Sequence, residues 1–82
     1  MRYNLDIIIP VFNEQGNILK TLSEIIKTVD IKYRIVVVYD YDEDPTLKII
    51  NENFKEGEVF LIKNKYFGFN GAVKTGFENL DA

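Results

Sequence analysis

Three short apolar runs constrain this chain more than any other feature: Leu5-Asp6-Ile7-Ile8-Ile9-Pro10-Val11, Tyr33 to Tyr39, and Glu58-Val59-Phe60-Leu61-Ile62. The first two are apolar on both faces, the first from Ile7 onward, instead of alternating. Such runs suit strands covered on both sides, as in a parallel sheet. Pro10 has no N–H to give to a ladder, so the first strand is expected to end there. Between the first two runs, apolar residues fall at positions 18, 19, 22, 25, 26 and 29. That spacing predicts a helix over 14–29, with Asn13 as its N-cap. Asp44-Pro45 reads as a cap followed by the residue best tolerated at the first helical position. Leu47, Ile50 and Phe54 then line one face of a second helix, which Glu56-Gly57 breaks. After the third run, 64–70 reads as a loop carrying Tyr66, Phe67 and Phe69, and Ala72, Val73, Gly76, Phe77 and Leu80 give helical spacing over 71–80. The order βαβαβα predicts an α/β fold, a three-layer Rossmann-like parallel sheet with right-handed crossovers.

The 82 residues make one small domain, and a chain of this size buries about 60–65% of its unfolded surface. Apolar content of 46% suffices for a folded core and argues against disorder. A net charge of −3 with scattered basic residues argues against nucleic acid as the main partner. There is no cysteine and no histidine, which excludes disulfides, thiolate and imidazole metal sites, and histidine general bases. The longest apolar runs are too short to span a bilayer and no signal peptide precedes them, so a soluble, cytoplasmic chain is expected.

In parallel sheets of this kind a ligand sits beyond the carboxyl ends of the strands, where 10–14, 39–44 and 64–70 converge. In the first of these loops Asn13 can be a helix cap, Glu14 a first-turn carboxylate and Phe12 a core aromatic, or all three can face a ligand. The second holds four acids, Asp40, Asp42, Glu43 and Asp44. Asp44 reads as a cap, and Asp42 and Glu43 as solvated charges at the tip. Asp40 directly follows a buried strand, where a carboxylate is costly unless something donates to it. Four acids in one run cannot all point at one ion, which disfavours a metal site here. The third segment has glycines at 68, 71 and 76 with Lys65 and Lys74 nearby. It can bind an anion at a helix start, or be an ordinary loop before a helix with a close-packed Gly76.

Taken together, Ile9-Pro10-Val11-Phe12-Asn13-Glu14, the stretch from Val36 to Thr46, and Asn64 through Gly68, Ala72, Lys74, Gly76 and Phe77 resemble glycosyltransferase family 2, and within it the dolichol- or polyprenyl-phosphate mannosyltransferase-like group. The resemblance implies the N-terminal half of a GT-A fold, with strand order 3-2-1 and residues 1–82 as a partial domain lacking the acceptor half. It implies an inverting enzyme that transfers a sugar from a UDP- or GDP-linked donor to an acceptor such as a polyprenyl phosphate. Carried over by position, Pro10 lines the base pocket, Phe12 stacks on the base, Asn13 and Glu14 contact the nucleoside, and Asp40 accepts a hydrogen bond from the base. Gly68 belongs to the same nucleotide-binding set, and Lys74 balances the diphosphate. Tyr39 replaces the first aspartate of the family's pair, Tyr41-Asp42-Glu43 replaces G-S-x, and Asn70 stands where a glycine is common. The family's D-x-D strand, which holds Mg²⁺ or Mn²⁺, and its general base would lie after position 82. These residues alone are therefore expected to be inactive, to need no cofactor and to bind nucleotide weakly, with no catalytic residue or metal ligand among them. The alternatives are a non-catalytic Rossmann-like nucleotide-binding or assembly module and a small receiver-like signalling domain. With the strand beside 7–11 missing, self-association through that exposed edge is expected, with no membrane contact by this segment.

Overall fold

The computed structural model describes residues 5–55, 57–66, 71, 74–76 and 78. Strands β1 (Leu5–Val11), β2 (Tyr33–Tyr39) and β3 (Val59–Lys63) alternate with helices α1 (Ile18–Thr28) and α2 (Pro45–Asn53). The strands form one parallel sheet in the order β1-β2-β3, so β2 is central. Val11 pairs with Tyr39 and Tyr39 with Lys63, so all three strands end on one line and their following loops share one rim.

The sheet buries both faces, as the unalternating runs require. On one face Ile9, Val11, Ile35, Val37, Val59 and Leu61 meet Ile18, Leu22 and Ile25 of α1 and Ile49 and Ile50 of α2. On the other, Val36 and Val38 pack with Ile8, Phe60 and Ile62. Every residue from Ile35 to Val38 is at most 1% exposed. A fully buried aliphatic side chain of this kind contributes about 1.5–3 kcal/mol.

Asp6, within β1, is made tolerable on that second face by Arg34 of β2. The guanidinium donates to both carboxylate oxygens, at 3.2 and 2.9 Å, and lies 5.4 Å from the centre of the Phe60 ring. A fork-to-fork pair satisfies a carboxylate that is only 1% exposed. Gly76, in a helical turn, approaches β1 there so closely that an added Cβ would lie 2.6 Å from Ile8 Cγ2. Glycine at 76 is thus a packing requirement. Of the helix expected over 71–80, Gly71, Lys74, Thr75, Gly76 and Glu78 are helical, and the other positions lie outside the described residues.

Several boundaries differ from those expected. β1 continues one residue past Pro10, which is opposite Val38. β1 is an edge of the sheet formed by the described residues, and on an open edge a missing N–H costs no ladder bond. β3 is shifted by one residue and α2 ends at Asn53. The larger correction concerns α1, which begins at Ile18 and not at residue 14. Asn17 occupies its N-cap position without a side-chain capping bond. The Glu14 carbonyl accepts from the N–H groups of Asn17 and Ile18, at 3.0 and 2.9 Å. Asn13 does not cap the helix. Its φ of +53° is left-handed, a conformation asparagine adopts more readily than most residues, and it serves a turn. Among the described residues no helix is long and apolar enough to cross a membrane.

Candidate functional site

The rim at the carboxyl ends of the strands is held by two polar ties. The first joins the loop after β1 to the start of α2. Asp44 is the N-cap of α2, with Pro45 at the first helical position, and its Oδ1 accepts from the Thr46 N–H at 2.9 Å. Its Oδ2 accepts from the Asn13 N–H at 3.0 Å, and Thr46 Oγ1 accepts from the Glu14 N–H at 2.7 Å. Asp44 is 2% exposed and Thr46 fully buried. Burial alone would raise the Asp44 pKa, but donation from the Asn13 N–H, the Thr46 hydroxyl and the Thr46 N–H holds it below its ordinary 3.8.

This tie fixes the turn that presents Phe12. Phe12 is 59% exposed, so it is not the core aromatic that its apolar character allows. Its ring lies 5.7 Å, centre to centre, from that of Tyr41, at 56° to it. The Tyr41 hydroxyl in turn donates to Asn13 Oδ1. The loops after β1 and β2 therefore meet through an aromatic pair as well as through Asp44.

The second tie joins the loops after β2 and β3. Asp40 and Asn64 each follow directly on paired strand ends, and the Asn64 N–H donates to the Tyr39 carbonyl at 2.7 Å. The Asn64 side-chain amide donates to Asp40 Oδ1 at 2.7 Å. Asn64 Oδ1 accepts from the Thr75 hydroxyl at 2.9 Å and from the Tyr66 N–H at 3.0 Å. Thr75, fully buried, also accepts from the Lys65 N–H at 3.0 Å. Among the described residues Asp40 Oδ2 takes no hydrogen bond.

The acids at 40–44 thus serve different ends. Asp40 faces Asn64, Asp42 makes an exposed ion pair with Lys63 at 3.2 Å, Glu43 is exposed, and Asp44 is the buried cap. Exposed pairs such as Asp42–Lys63 add little stability. No group of three or more acids converges as a cation site among the described residues.

Of the residues singled out by sequence, Phe12 and Asn13 come together at Tyr41, Asp40 meets Asn64, and Glu14 is half-buried with its N–H held by Thr46. Pro10 sits inside β1 opposite Val38. Lys74 is exposed, its Nζ 4.5 Å from the centre of the Tyr66 ring, and the Tyr66 hydroxyl donates to Glu78 Oε2 at 2.9 Å. Gly68 lies outside the described residues. Sequence reasoning passed over Thr75 and treated Tyr41 only as a departure from pattern. The signal for Asn64 was available: a polar residue directly after β3, in register with the residue after β2.

The chain belongs to glycosyl transferase family 2. The family matches residues 6–82. An uncharacterised protein of Methanocaldococcus jannaschii is 43% identical over 60 residues, which are 71% of this chain and 25% of that protein. The undecaprenyl-phosphate 4-deoxy-4-formamido-L-arabinose transferase of Proteus mirabilis is 28% identical over 94% of this chain and 26% of its own length. The protein of the same name from Shewanella sediminis is 29% identical over 93% and 25%. The chain thus spans about a quarter of the length of the curated relatives it matches. No solved structure matches it significantly.

Proposed function

We propose that the rim at the strand ends binds the nucleotide part of a nucleotide-sugar, as the donor-recognition segment of an inverting glycosyltransferase with a GT-A fold. The observation that carries this reading is Asp40. It is a carboxylate at the end of a buried strand, fixed through one oxygen by Asn64 and uncommitted through the other among the described residues. A ring N–H of a base would complete it with a charge-assisted hydrogen bond. Phe12, exposed beside Tyr41, offers an aromatic face for stacking, and Lys74 would help balance the diphosphate.

In glycosyl transfer, an acceptor oxygen attacks the anomeric carbon as the bond to the diphosphate oxygen breaks, and a base takes the acceptor proton. The described carboxylates do not form a donor set for the Mg²⁺ or Mn²⁺ that would stabilise the leaving diphosphate. In this reading the part of residues 1–82 is to bind and orient the donor. The names of the two bacterial transferases support a polyprenyl phosphate as acceptor.

Isothermal titration of UDP and GDP into the chain and into Asp40→Asn tests the reading. The substitution should weaken the better nucleotide about tenfold or more, the loss of a hydrogen bond to a charged group. Equal affinities would sink base recognition by Asp40 and favour a non-catalytic binding or assembly module.

A further inference from the structure

The turn that presents Phe12 is held by a closed ring of contacts. Asp44 reaches both loops: its Oδ2 accepts from the Asn13 N–H at 3.0 Å, and its own N–H donates to the Tyr41 carbonyl at 3.3 Å. Tyr41 then turns back to the first loop, its hydroxyl donating to Asn13 Oδ1 and its ring meeting that of Phe12. The backbone on either side of Phe12 is fixed, since Val11 pairs with Tyr39 in the sheet and the left-handed Asn13 is bound to Asp44. The Phe12 side chain has no such anchor of its own. An exposed phenylalanine has several staggered rotamers open to it, and among the described residues Tyr41 supplies the ring that favours one of them. Rings 5.7 Å apart and tilted by 56° lie within the range where aromatic pairs attract. Phe12 stays exposed in this pairing, so the contact orders its ring without closing it off.

We infer that Tyr41 is a positioning residue, which holds the Phe12 ring ready to stack on a nucleotide base. This deepens the nucleotide-binding reading and rests on it. A side chain ordered only when the ligand arrives adds its lost rotamer freedom to the cost of binding, and one already ordered does not. Tyr41 therefore strengthens binding without touching the base. Every base has a face to stack, so Tyr41 acts alike on uracil and guanine nucleotides and not at all on a ligand without a base. The hydroxyl serves the same end less directly, through Asn13, the residue next to Phe12.

Titrations of UDP, GDP and inorganic pyrophosphate into the chain, Tyr41→Ala, Tyr41→Phe, Phe12→Ala and the double variant of Phe12→Ala with Tyr41→Ala test it. Tyr41→Ala should weaken UDP and GDP alike by about fivefold, the worth of one aromatic pair, with pyrophosphate affinity unchanged. Tyr41→Phe keeps the ring and should recover most of that loss. Once Phe12 is alanine, removing the Tyr41 ring as well should cost nothing further. Unaltered nucleotide affinity in folded Tyr41→Ala overturns the inference, and so does an equal loss of pyrophosphate affinity, the mark of a general disturbance of the rim. A further loss in the double variant also overturns it, because Tyr41 would then touch the ligand itself. If Phe12→Ala leaves the UDP and GDP affinities unaltered, stacking at this rim fails and the inference falls with the reading beneath it, a result separable from the others.

Discussion

Between the loops after β1 and β2, Asp44 and Thr46 take up the N–H groups of Asn13 and Glu14; after β3, Asn64 and Thr75 take up those of Tyr66 and Lys65, and the Asn64 amide reaches Asp40 in the loop after β2. Each tie pairs a short acceptor side chain with a fully buried threonine, and each fastens a loop to the next element. They differ in what is left over. The carboxylate of Asp44 has donors on both oxygens and caps α2 besides, so that tie is closed. The second is built on a neutral amide, and its carboxylate, Asp40, is engaged through one oxygen only among the described residues. A closed tie serves the fold. An open one is suited to a ligand, and the comparison teaches that charge alone did not separate the two: Asp40 and Asp44 lie four residues apart in one acidic run.

Substitutions can break this contrast, and the largest effect on stability should come from the closed tie. Asp44→Ala removes a cap and leaves the Asn13 N–H without its partner, and denaturant unfolding should show a loss of about 2–4 kcal/mol. The same carboxylate sets a pH dependence. Its folded pKa lies below 3.8, so its stabilisation is fully present above that ordinary value and fades as pH falls through the lower folded one. Denaturant midpoints measured from pH 5 down to pH 2 should therefore decline in the unsubstituted chain, and this component of the decline should be absent in Asp44→Asn.

A smaller loss is expected from the open tie. Asn64→Leu deprives Thr75 and Tyr66 of an acceptor and should cost about 1–3 kcal/mol of unfolding free energy, while also weakening nucleotide binding. The smallest stability effect belongs to Phe12→Ala. With its ring 59% exposed, the change should stay within about 0.5 kcal/mol of the unsubstituted chain. In titration, however, it should cost about 1–3 kcal/mol of nucleotide affinity through lost stacking. Equal losses of stability and affinity in Phe12→Ala would blur the division between the two ties.

The parallel sheet and the rim were legible because runs such as Ile35 to Val38 are apolar without alternation, a pattern only a doubly covered strand requires. Asp44 as a cap was legible from Pro45 behind it, a local signal. The start of α1 was not, since Asn13 is both a favoured cap and a favoured left-handed residue, and the choice rests on Asp44, 31 residues away. Leu19 and Ile26 fit the helical stripe yet lie exposed, because only the Ile18–Leu22–Ile25 side of α1 reaches the sheet. The tie through Asn64 and Thr75 depends on residues 11 apart in sequence meeting, which no local pattern reports.

Backbone amide shifts of the nitrogen-15-labelled chain during titration with UDP test the central claim most directly. The account predicts that the perturbed amides cluster at the rim, at Phe12, Asn13, Asp40, Tyr41 and Asn64. Perturbation centred instead on the groove between α2 and β3 at the opposite end of the sheet, around Phe54, Val59 and Phe60, would contradict it.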